Sequence, residues 1–171
     1  PPSLPFILNF HFMSSKSDFE NRALALFDQG YSCSQSVLLA YAKSFGLDER
    51  SAKLVSSTFG GGMGRLRQTC GTVTGGFMVL GLAFGNESPT DKETKLDAYR
   101  HVRELHNRVI EMHGTSNCAE LLKKQGQDNG SGTDKHSKTI CNEMVVQVSG
   151  MVFDMLASEN KLQENHTKTS E

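Results

Sequence analysis

From Cys70 to Phe84 the chain carries no charged residue, and Gly71, Gly75, Gly76 and Gly81 punctuate an otherwise apolar run. Such a segment belongs in a protein interior; its length favours a helix, while its β-branched Val and Thr residues leave a strand open. Gly71 and Gly75 stand four apart, on one face if the segment is helical, and there a neighbouring helix can approach the backbone closely. The remaining elements have to gather round this crowded centre.

Those elements read as helices. Phe19, Ala23, Leu26 and Phe27 recur at helical spacing before Gly30, and Ser32 can cap a second helix through Cys33, Val37, Leu38, Tyr41 and Phe45 to Gly46. Asp48 can cap a third through Ala52, Leu54 and Val55. Residues 91–113 repeat Leu96, Tyr99, Val102, Leu105, Val109 and Met112 in threes and fours, which predicts an amphipathic helix resting that stripe on the core. Cys118 opens a short helix ending near Lys124, and residues 137–156 resume the periodicity through Ile140, Met144, Val148, Met151 and Met155. FGGGMG, residues 59–64, suits no regular element and reads as a loop with unusual backbone angles. With no repeat and no convincing strand, the expectation is an all-α, single-domain bundle of about six helices with a buried Gly-rich central helix.

Length and charge narrow the partners. At 171 residues the chain suits one domain, and 18 basic against 19 acidic residues offer no excess positive charge to nucleic acid or an anionic membrane. Residues 1–12 have no basic start or cleavage signature and are expected to be an upstream extension, with Met13 a natural start. The helical domain is expected over 13–157, a flexible loop over 125–135 and a polar tail over 158–171. No segment is expected to span a bilayer, and the absence of an export signal implies a reducing, cytoplasmic setting for the thiols.

Four single cysteines, Cys33, Cys70, Cys118 and Cys141, are the only recognisable chemistry. Other motifs fall short. FGGGMG lacks the Lys-Ser/Thr ending of a phosphate loop; His106 and His113 share a helix face without ligand spacing; the acidic residues form no isolated pair in apolar sequence; the methionines read as core filler. Gathered in one pocket, four thiolates would match an iron-sulfur cluster or tetrahedral zinc, although no two form Cys-x-x-Cys. Without metal, Cys70 is the better nucleophile, at an expected helix N-terminus near Arg65 and Arg67, with Cys33 after Ser32 as its partner. Cys118 and Cys141 would then be a second pair or structural residues. A third reading is a structural module that self-associates, as a homodimer, through the glycine-lined helix face.

Taken in order, GYSCSQSVL around Cys33, FGGGMG, CGTVTGGFMVLG from Cys70, GTSNCAELL around Cys118 and the helix bearing Cys141 resemble the C_GCAxxG_C_C family of redox-active proteins. The resemblance spans roughly residues 19–156, and its one visible departure is Thr72, where the family has alanine after Cys-Gly. It implies a small redox protein with an unidentified redox partner protein. With no zinc-knuckle spacing, it favours electron transfer through an iron-sulfur cluster over zinc, held by Cys33, Cys70, Cys118 and Cys141 beneath the Gly60 to Gly64 loop. Family members are similar to a domain of certain multihaem cytochromes, but no Cys-x-x-Cys-His for covalent haem occurs here.

Overall fold

The computed structural model describes residues 15–124 and 137–162; the expected upstream extension, the 125–135 loop and most of the polar tail lie outside them. Among the described residues seven helices longer than a single turn make an all-α bundle: α1 (Lys16–Asp28), α2 (Cys33–Ala42), α3 (Glu49–Ser56), α4 (Gly71–Phe84), α5 (Lys92–His113), α6 (Cys118–Lys124) and α7 (Ser137–Ser158). Among the described residues there is no strand, only a single antiparallel bridge between Thr69 and Asn117.

The helix starts follow local chemistry. Ser15 and Ser32 each form a reciprocal capping box, with Asp18 and Gln35, so that orphan amides at both helix starts find acceptors. Asp48 and Asp91 accept from the Ser51 and Thr94 amides at the starts of α3 and α5. Gly46 closes the 3-10 turn Lys43–Phe45 that continues α2, and Gly114 closes α5, both in the left-handed conformation that costs glycine least.

The uncharged segment is the central helix, α4, and it packs against α2, α5 and α7. Its glycines set how close those neighbours come. A β-carbon at Gly75 would stand 2.7 Å from the Ser34 carbonyl of α2, and one at Gly76 would stand 2.7 Å from Leu105 of α5. Gly71 and Gly75 therefore lie against α2 and Gly76 against α5 and α7, while Gly81 is exposed. On the far side of α2, Phe19 of α1 stacks on Tyr41 with ring centroids 4.4 Å apart, and the Tyr41 hydroxyl donates to the Ser149 carbonyl of α7.

Two expectations are corrected. The core face of α5 is Ala98, His101, Leu105 and Val109, while Leu96, Tyr99 and Met112 are exposed. The reason is His101, buried by stacking on Phe84 of α4 at 3.6 Å and donating its Nδ1–H to the Asp97 carbonyl, which turns the helix away from its most apolar stripe. Second, residues Thr139–Ser158 of α7 are long and apolar enough to cross a membrane, with mean hydropathy 1.3; 56% of the window is buried in the bundle, as befits a core helix.

Candidate functional site

Each of the four cysteines lies at or near the start of a helix. Cys33 is the first residue of α2, Cys70 caps α4, Cys118 opens α6 and Cys141 lies in the early part of α7. None is disulfide-bonded; Cys33, Cys70 and Cys118 are buried and Cys141 is half-buried.

Cys33 and Cys70 meet directly. Gly71 passes against Cys33 Sγ so tightly that any β-carbon there would overlap the sulfur, and it would also stand 3.0 Å from the Phe59 carbonyl. Each of the two thiols is the foremost influence on the other's protonation. Cys33 Sγ also accepts from the backbone amides of Gly61, Ser34 and Cys33 itself, the last two being orphan donors of the α2 N-terminus. The Cys70 hydrogen bond and these amides outweigh burial and bring the Cys33 thiol down to about 6. Cys70 goes the other way: its hydrogen bond to Cys33, its burial and the Cys33 charge raise it well above the usual thiol value, opposed by the Thr72 hydroxyl 3.2 Å from its sulfur. The donors around Cys33 thus favour negative charge on Cys33 over Cys70.

The Gly61 amide reaches Cys33 because the preceding chain turns against its natural hand. Gly61, Gly62, Met63, Gly64, Arg65 and Arg67 all have φ between 60° and 72°. Three of them carry side chains, and each costs about 1–2 kcal/mol in this conformation. Such strain persists only where surrounding structure enforces it. Here the Arg67 and Gln68 amides donate back to the Gly61 and Gly62 carbonyls, and Gln68 and Cys70 pair with the α6 approach: Cys118 N–H donates to Gln68 O at 2.7 Å and Cys70 N–H to Ser116 O at 2.8 Å. Gly62 makes room for this, since a β-carbon there would lie 2.7 Å from Cys118 Cβ.

Arg67 does not serve Cys70 as the sequence suggested. Its Nη1 stands 3.7 Å from Cys118 Sγ, which burial pushes up and the guanidinium holds back; Arg65 is exposed. Cys141 is pushed up to about 12, mainly by burial and then by the charges of Cys33 and Cys118, which puts it within electrostatic reach of both. The sulfurs thus share one end of the bundle in unequal roles.

As arranged, they do not fit the four-thiolate centre expected from the sequence. Among the described residues no three Cys, His, Asp or Glu groups are gathered so as to hold a metal ion. Cys33 and Cys70 are engaged with one another and Cys118 with Arg67. His113 is likewise occupied, its Nε2 lying 2.7 Å from Gln147 Oε1.

Sequence reasoning missed the contribution of backbone. The glycines of FGGGMG and CGTVTGG signalled close approach, but not that Gly61 would supply an amide to one sulfur, or that Gly62 and Gly71 would each lie against a cysteine.

No curated protein and no solved structure matches the chain. A family model described as "Putative redox-active protein (C_GCAxxG_C_C)" matches residues 31–155, which takes in all four cysteines and the glycine turn. The chain belongs to that family.

Proposed function

We propose that this protein is a dithiol–disulfide redox protein whose working pair is Cys33 and Cys70, with Cys33 as the attacking thiolate. The observation that carries the reading is the meeting of these two thiols over Gly71, with Cys33 ringed by the amides of Gly61, Ser34 and Cys33 and by the Cys70 thiol. A thiolate is the nucleophile in exchange, and donors that stabilise it at neutral pH enlarge its population.

The reaction with a disulfide-bearing partner, RSSR, balances as follows. The Cys33 thiolate attacks one partner sulfur, the partner S–S bond breaks, and RS⁻ leaves a mixed disulfide on Cys33. Cys70 gives up its proton and attacks Cys33 Sγ; the new Cys33–Cys70 bond forms as the second RS⁻ departs, one of the two partner thiolates keeping the Cys70 proton. Two electrons pass from the pair to the partner, which ends as RSH and RS⁻. The reverse reaction regenerates the thiolate and thiol.

Mild oxidation of the reduced protein with one equivalent of diamide, followed by alkylation and peptide mapping, tests the reading. Loss of two thiols as a Cys33–Cys70 crosslink, abolished by Cys33→Ser or Cys70→Ser and retained in Cys118→Ser and Cys141→Ser, supports it. Four thiols left titratable after oxidation would end it. Stoichiometric iron and acid-labile sulfide in protein purified without oxygen, lost in Cys70→Ser, would replace it with the cluster reading.

A further inference from the structure

We propose that the Thr72 hydroxyl is the terminal donor of a buried hydrogen-bond chain, Thr72 to Cys70 to Cys33, and the positioning residue that sets how strongly the pair prefers dithiol over disulfide. The inference rests on Cys33 and Cys70 being the working pair.

Thr72 Oγ1 lies 3.2 Å from Cys70 Sγ, and the whole residue is buried at 0% exposure in the second position of α4. The direction of the bond follows from counting protons. The amides around Cys33 favour the charge there, which directs the Cys70 proton toward Cys33. The hydroxyl is therefore left to donate to the Cys70 sulfur. Donation into a thiol that is itself donating polarises the S–H bond, so each link strengthens the next where water is excluded. Charge on Cys33 is thereby spread over three side chains, although Thr72 touches only Cys70.

This arrangement favours the reduced pair, because a disulfide sulfur carries no charge and is a weak acceptor. Removing the hydroxyl weakens the reduced form more than the oxidised one. Arg65 and Arg67 do not substitute for it, since Arg65 is exposed and Arg67 is spent on Cys118.

The test compares wild type with Thr72→Val, which keeps the shape, Thr72→Ala, the residue of the family pattern, and Thr72→Ser, which keeps the hydroxyl. Two quantities are read: the pH midpoint of Cys33 alkylation, and the dithiol–disulfide equilibrium in glutathione buffers. In Val and Ala the midpoint is expected to rise by about one pH unit, with an about tenfold shift toward disulfide, equivalent to about 30 mV. Ser is expected to stay close to wild type. Wild-type values in both Val and Ala would overturn the inference. So would a shift in Ser as large as that in Val, which would assign the effect to packing. If the wild-type pair forms no disulfide at all, the function proposed above fails, while the alkylation midpoint still decides the role of Thr72.

Discussion

Gly71 lays its bare Cα against Cys33 Sγ, so the residue after one cysteine of the pair makes the seat for the other. The contact joins the start of α4 to the start of α2 and leaves no room for a side chain. It also explains why the central helix begins with glycine, a residue that otherwise costs a helix stability.

Gly71→Ala is accordingly expected to destabilise the protein by about 1–3 kcal/mol, the usual range for overpacking a filled interior. The methyl group would meet Cys33 Sγ, the Phe59 carbonyl and the Ser34 amide, so the sulfur cannot simply swing aside. Urea denaturation measures the loss. A Gly71→Ala protein as stable as wild type would contradict the close approach.

The thiol-dependent stability should rise with pH between about 6 and 9. Cys33 titrates near 6 in the folded chain against an ordinary value of 9.0, so in this window the unfolded chain binds the extra proton and each rise in pH favours the folded state. The contribution is fully present above 9 and is lost as pH falls through 6. Cys141, raised to about 12, acts oppositely above pH 9, where its contribution fades as pH climbs. The stability difference between wild type and Cys33→Ser, followed by denaturation at several pH values, isolates the rising limb; a flat difference from pH 6 to 9 would deny the low-pKa thiolate.

Arg67→Ala should separate the sulfurs. The guanidinium holds the Cys118 thiol down against burial, so its removal is expected to slow Cys118 alkylation at pH 8 by roughly several-fold through a smaller thiolate fraction. The pH midpoint for Cys33 should stay where it is. Alkylation followed residue by residue by mass spectrometry reads both, and a change confined to Cys70 would restore the pairing of arginine with Cys70 expected from the sequence.

Relief of backbone strain offers a gain in stability. Arg65 is exposed at φ 64°, where a side chain costs about 1–2 kcal/mol and glycine's extra unfolded entropy costs only about 0.5–1 kcal/mol. Arg65→Gly is expected to stabilise the protein by about 0.5–1 kcal/mol, within the same arithmetic. Its melting temperature checks this; a lower value would mean that the Arg65 side chain holds the turn in place.

Much of the bundle was legible because local rules and the fold agree. Ser32 and Asp48 are the caps their positions suggested, and the uncharged segment from Cys70 is the buried central helix. The face of α5 was not legible, because a stripe containing His101 and Ala98 looks less apolar than one containing Leu96 and Tyr99 until Phe84 supplies the histidine with a stacking partner. The order of the two sulfurs proposed here, Cys33 before Cys70, is also the reverse of the one the sequence suggested. Arginines near Cys70 in sequence suggested a thiolate there, whereas the donors that set the charge are backbone amides, brought to Cys33 by a left-handed turn that leaves no side-chain pattern of its own.

A redox titration of the reduced, oxygen-free protein in graded glutathione buffers, with trapped thiols mapped by mass spectrometry, bears most directly on the Cys33–Cys70 pair. The expected result is a single reversible two-electron transition in which the Cys33–Cys70 crosslink appears and disappears while Cys118 and Cys141 remain alkylatable. A pair that stays reduced throughout, or a crosslink made instead by Cys118 or Cys141, would contradict it.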